Sequence, residues 1–169
     1  MDEMKVYIVN LGKYVEGEDA GAWFTLPVDK DVVAERLGLD SRYEEIAIHD
    51  YELPFQIGEY ESLDELNRLA GLIEDLPDDV QANLSDLIDE FGSVDDVAEA
   101  AQDLIYYDGC SVEDVARELI EDSGALDGLP ENLRYYFDYE AYARDLKING
   151  DLIECSRGVF VDNRGIRRL

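Results

Sequence analysis

Acidic side chains three and four residues apart recur through the middle of this chain, and their spacing is what invites chemistry. Glu61, Asp64 and Glu65 are followed by Glu74, Asp75, Asp78 and Asp79, then by Asp86, Asp89 and Glu90, then by Asp95, Asp96, Glu99 and Asp103. On a helix, residues so spaced share a face, with Cβ atoms about 5–6 Å apart. Carboxylates placed this way can serve as acid–base pairs or as a fixed negative surface for a basic partner. Catalysis would need more than carboxylates. His49 is the only histidine, it lies in a strand pattern beside Asp50, and no nucleophile motif leads to it. A structural histidine is the expected reading. Among 42 acids any two can be close, so paired carboxylates argue for no enzyme class. Asp108-Gly109 is only a fragment of a calcium loop, and a phosphate-cradling glycine loop is absent. No cofactor and no dedicated metal site are expected.

The array reading has more support. Like charges at helical spacing cost a few tenths of a kcal/mol per pair. Residues 61–103 carry 14 acids and one base, Arg68, so little relieves the repulsion. A single acidic patch is ordinarily a solvated helix face. Four in succession with one arginine among them point to a selected negative surface. The residues expected to meet a target are Asp64, Glu65, Glu74, Asp75, Asp78, Asp79, Asp86, Asp89, Glu90, Asp95, Asp96, Glu99 and Asp103.

A second stretch, residues 126–145, packs Tyr135, Tyr136, Phe137, Tyr139 and Tyr142 into eight residues among acids. Tyrosine combines apolar area with a polar tip, and aromatics are enriched at interfaces. An ordinary helix whose Tyr135, Tyr139 and Tyr142 fill a core is the competing reading.

The elements that must hold these residues follow from local signals. Met4–Leu11, Gly21–Pro27 and Glu44–Glu52 read as strands, with Gly12–Ala20 a loop between the first two and Trp23 a core or inter-element anchor. Asp29 and Gly38 bound a helix. Ser62, Ser93 and Ser111 each precede an acid by three residues, a helix-starting pattern in which only Glu65 is the preferred return partner. Pro77 opens a further helix. Residues 62–104 therefore read as helical, in three pieces. Ile105–Tyr107 reads as a strand, Ser111–Ser123 as a helix stopped by Gly124, Pro130–Leu146 as helical, and Leu152–Cys155 with Gly158–Asp162 as a hairpin. The expected fold class is α+β in three small lobes of an elongated chain. These are an α/β lobe over 1–60, an acidic helical lobe over 61–103 and an α/β lobe over 104–169, with net charges of -9, -13 and -6.

The chain of 169 residues has a net charge of -28, a balance that repels nucleic acid and anionic membrane and attracts basic grooves. It has no apolar run long enough to span a bilayer and no signal-peptide pattern at its start. Its two cysteines, Cys110 and Cys155, make no disulfide framework. A reduced, cytoplasmic protein is expected.

Several blocks resemble the ArdA antirestriction family: Val6–Tyr14, Gly21–Phe24, Tyr43–Phe55 and the tyrosine-rich stretch, in that order. The tail Asn163–Leu169 is basic and matches no family pattern. The resemblance implies an acidic DNA mimic that binds type I restriction–modification enzymes, without catalysis and without binding nucleic acid itself. It also implies a homodimer joined through the C-terminal lobe. Leu126, Leu129, Pro130, Leu133, Tyr135, Tyr136, Phe137, Asp138 and Tyr139 fall in the antirestriction motif, at or near that contact. B-DNA carries one charge per roughly 1.7 Å, so 42 acids match ~70 Å of duplex and the net charge about fourteen base pairs. Three other readings compete: a halophile's solubility adaptation, an acidic module for another basic protein, and an enzyme using His49. The halophile reading separates in dilute buffer. A mimic gives a folded circular-dichroism spectrum there, whereas a halophilic chain folds only in concentrated salt.

Overall fold

In the computed structural model, which describes residues 2–166, the first strand, β1 (Lys5–Asn10), buries Val6 and Ile8 completely and leaves Lys5 and Tyr7 half-buried. That is the period-two pattern of a strand with one face on a core. β1 is the centre of an antiparallel sheet, between β2 (Gly21–Thr25) and β3 (Ile46–Glu52). Trp23, expected as a core or inter-element anchor, is not in the core and packs on Tyr7 of the neighbouring strand, with ring centroids 5.5 Å apart. The register sets it opposite Tyr7 and it is 40% exposed, while Phe24 takes the core position. Neighbouring strand residues point to opposite faces, so only one of this aromatic pair can enter the core.

Residues 12–20, expected as a loop, overlap a short helix, α1 (Leu11–Val15). Asn10 starts it. Its Oδ1 accepts from the Lys13 N–H at 3.2 Å, and its Nδ2 donates to the Leu37 carbonyl at 3.0 Å. Asn10 is fully buried, so both bonds are needed to satisfy its amide. They also tie α1 to the end of α2 (Lys30–Leu37). α2 obeys its expected signals: Asp29 accepts from the Asp31 N–H at 2.8 Å, and Gly38 closes the helix at φ 65°, a conformation glycine adopts without steric cost.

Helices then dominate: α3 (Leu63–Glu74), α4 (Asp78–Ala82), α5 (Leu84–Phe91), α6 (Val94–Ala100) and a 3-10 turn over Ala101–Asp103. The expected three pieces become four α-helices because Asn83 leaves helical geometry, at φ -116° and ψ 21°, and donates its Nδ2 to the Asp79 carbonyl at 2.8 Å. Asparagine competes with the helix ladder in this way. After β4 (Leu104–Asp108) comes α7 (Val112–Ser123), closed by Gly124 as expected. Ser62, Ser93 and Ser111 all accept from the backbone N–H three residues on, at 3.4, 3.1 and 3.1 Å. The return bond differs from expectation. Asp114 reaches back to the Ser111 N–H at 3.1 Å and completes its box, whereas Glu65 turns to Arg68.

The helical stretch expected over 130–146 consists of two helices, α8 (Glu131–Arg134) and α9 (Tyr139–Ile148). Asp138 divides them, accepting from the Ala141 N–H at 2.9 Å as the cap of α9. The closing hairpin forms as expected from β5 (Leu152–Cys155) and β6 (Gly158–Asp162). β6 also pairs with β4, which places it at the centre of the second sheet. The last described element is α10 (Asn163–Ile166), where Arg164 grips Asp162 through Nε at 3.0 Å and Nη2 at 2.8 Å. Burial alone would push the Asp162 carboxyl up, but the guanidinium and the backbone N–H of Arg164 hold it below its usual value. The rest of the basic tail, 167–169, lies outside the described residues.

All five residues of β6 are buried, because both faces of its sheet are covered. Phe160, with Ile153 and Cys155, joins the apolar cluster that runs through α3–α6 to the N-terminal sheet. Val159 and Val161, with Leu152, join a second cluster with Val115 and Ala116 of α7 and Ala143 and Leu146 of α9. The chain exposes 10295 Å² for 19.1 kDa, about a fifth more than the ~8,400 Å² of a compact monomer of that mass. Phe160→Ala removes a ring from the first of these clusters and is expected to lower folding stability by about 3–5 kcal/mol, measured by denaturant unfolding.

Candidate functional site

Amphipathic spacing dictates where the acids go. α3–α6 turn Leu66, Ile73, Val80, Leu87 and Val97 inward, each at most 1% exposed, so the residues between them face water. Of the thirteen candidate acids, Asp64, Glu74, Asp75, Asp78, Asp89, Glu90, Asp95, Asp96 and Glu99 are exposed. Glu65, Asp79, Asp86 and Asp103 are half-buried, and none of the thirteen is buried. The structure therefore places the whole set on the surface of one helical region.

Some of these carboxylates also hold the region together. Asp86 accepts from both the backbone N–H and the hydroxyl of Ser156, each at 3.0 Å, which fastens α5 to the β5–β6 turn. Asp64 takes Lys30, at the start of α2, at 2.6 Å. Beside it on α3, Asn67 accepts from the Val28 N–H and donates to the Val28 carbonyl, both at 2.8 Å. That paired amide contact joins α3 to the chain leaving β2. Arg68 bonds Glu65, one turn earlier, and Asp95, on α6. These bonds hold the Glu65 and Asp95 carboxyls below the usual carboxylate range and push the guanidinium further toward its charged form. The sequence pattern marks Arg68 as an isolated base, but its partner on α6 and the clamp at Asn67 depend on tertiary contacts that spacing does not encode.

The tyrosine-rich stretch divides by exposure. Tyr135 and Tyr136 are 86% and 79% exposed, with Leu129 and Leu133 at 41% and 49%. Phe137 and Tyr139 are half-buried, their rings edge-on at 4.9 Å, and Tyr142 packs beside Phe137 at 5.8 Å. The core-filling reading thus describes Tyr139 and Tyr142 in part and not Tyr135. Burial raises the Tyr142 hydroxyl above its ordinary pKa. Arg134 donates to the carbonyls of Asp127 and Leu129, both at 2.9 Å, and so folds the loop holding Leu126, Leu129 and Pro130 back over α8. Arg117 lies 4.1 Å from the centroid of the Tyr139 ring, within cation–π range. Arg117, Leu126, Arg134, Tyr135, Phe137 and Tyr139 line an open groove of about 710 Å³ between α7 and α8, with Asp138 at the far end of the stretch as a helix cap.

His49 sits edge-on to Tyr14, with ring centroids 4.7 Å apart, and 3.4 Å from Glu59. An aromatic and an acid on either side give it a packing role on β3. Burial pushes the Cys155 thiol up to about 11, which keeps it protonated and unreactive at neutral pH. Among the described residues, no cluster of three or more His, Cys, Asp or Glu is placed to hold a metal ion, and no helix is long and apolar enough to cross a membrane.

Fold and surface together define an α+β protein whose most prominent features are exposed carboxylates and exposed tyrosines. A model of the antirestriction protein family ArdA matches residues 6–161, nearly the whole chain, and the protein belongs to that family. No curated protein matches it.

Proposed function

We propose that this antirestriction protein occupies the DNA-binding groove of a type I restriction–modification enzyme by presenting a duplex-like array of carboxylates. The observation that carries the reading is the outward array on α3–α6 in a chain of this family. Restriction enzymes hold DNA largely through phosphates, contacts that are strong and indifferent to sequence. A rigid set of anions satisfies the same basic groove without containing bases. Hydrogen bonds between α5 and the β5–β6 turn and between α3 and the chain leaving β2 supply the rigidity. An exposed area above that of a compact globule supports three lobes, 1–60, 61–103 and 104–169, strung out to display the charge along a length. The protein acts by binding, needs no cofactor, and works in the cytoplasm where its target cuts.

Competition tests this directly. Labelled DNA on a type I enzyme, titrated with this protein, is displaced, and the inhibitor weakens roughly tenfold or more between about 50 and 200 mM salt. Neutralising any one exposed acid that does not bond Arg68 weakens it by about fivefold or less, as for a single exposed ion pair. An inhibition constant that is indifferent to salt, after allowance for the weakening of the DNA itself, overturns the mimicry reading.

The same reading makes the exposed tyrosines the centre of a two-fold contact. Tyr135 and Tyr136 are more exposed than any other large apolar or aromatic residue among the described residues, and an aromatic patch of this kind suits a two-fold dimer. Replacing Tyr136 and Phe137 by Ala lowers the mass measured in solution by light scattering. An unchanged mass removes these residues from the interface.

A further inference from the structure

Arg68 is the only base in residues 61–103. On a surface that works through negative charge, it subtracts from the field. Its geometry shows what it adds. Its Nε and Nη2 meet the two oxygens of Glu65 at 2.9 and 2.6 Å, and its Nη1 and Nη2 meet the two oxygens of Asp95 at 2.8 and 3.0 Å. Two edges of the guanidinium, Nε/Nη2 and Nη1/Nη2, are used. Glu65 lies one turn back on α3 and aims the side chain, and Asp95 lies in the first turn of α6.

α3 and α6 already share an apolar core through Leu66, Ala70, Val94 and Val97. Burial of apolar area is non-directional, so it holds two helices together without fixing how one is rotated against the other. Repulsion between their acids favours rotations that part the carboxylates. A bidentate guanidinium contact is directional in a way that neither of those forces is, and a lysine, with one compact ammonium, cannot reproduce it. Exposed ion pairs add little to folding stability, so stability alone gives no reason to place a base here.

We infer that Arg68 is a positioning residue for target binding: it sets the spacing between the carboxylates of α3 and those of α6, and inhibition depends on that spacing more than on the count of charges. The inference rests on the mimicry reading above. It makes the one base within residues 61–103 part of the array's geometry, and it predicts changes opposite in sign to those of a pure charge count.

The test uses the full chain and the competition assay with labelled DNA on a type I enzyme. Arg68→Gln makes the net charge one unit more negative than -28; a charge count predicts equal or tighter binding, whereas the clamp predicts binding weakened more than fivefold. Arg68→Lys restores the charge without the fork and stays weak. Arg68→Ala combined with Asp95→Ala returns the net charge to -28 and remains as weak as Arg68→Ala alone, since both changes remove one interaction. Denaturant unfolding of each variant shows that it is folded under assay conditions. In a carboxyl NMR titration of Arg68→Gln, Glu65 and Asp95 titrate at higher pH than in the unaltered protein, which reports loss of the clamp independently of inhibition. Inhibition by Arg68→Gln that equals or exceeds that of the unaltered protein overturns this inference alone. Failure of the unaltered protein to displace DNA overturns the mimicry reading and this inference with it.

Discussion

Carboxylates one turn apart on a helix repel one another, and helices α3–α6 carry them in succession with one arginine among them. That repulsion is the constraint the rest of the structure answers. Each helix is short, and each keeps an apolar stripe on a common core. Short helices are marginal alone, so their persistence comes from packing. The acids of their first turns, such as Asp64, Glu65, Asp95 and Asp96, sit where the helix dipole favours negative charge. Several others are turned to structural use, as at Asp86 and Ser156 or at Asp64 and Lys30. The negative surface is thus built from groups that help hold its frame.

The second sheet supplies the other half of that frame. Its central strand, β6, meets the acidic helices through Phe160 and meets α7 and α9 through Val159 and Val161. The tyrosine-bearing segment between α7 and α9 therefore stands on the opposite side of one sheet from the acids. This arrangement keeps the two exposed surfaces, one charged and one aromatic, apart on the same chain.

Much of this was legible in the chain itself. Serine followed by an acid three residues on marked the starts of α3, α6 and α7, glycine marked the ends of α2 and α7, and β-branched runs marked most strands. These are local signals with local causes. The errors arose where one residue serves two elements. Asn10 ends a strand and starts a helix, and Asn83 and Asp138 divide helices that periodicity alone would join. Trp23 was a core candidate, and the pairing with β1 gave the core position to Phe24. At the candidate site, the helical spacing of the acids was enough to predict an outward array. The contacts of Arg68, Asn67 and Asp86 span 27, 39 and 70 residues, and separations of that size leave no periodic trace.

Because Phe160, Ile153 and Cys155 complete the core beneath α3–α6, the acidic segment is not a portable module. A chimera that borrowed residues 61–103 from a relative would seat them on a floor shaped for different side chains unless it took the closing hairpin too. Exchange between lineages should therefore favour the hairpin travelling with the helices, although α7, α8 and α9 lie between them in the gene.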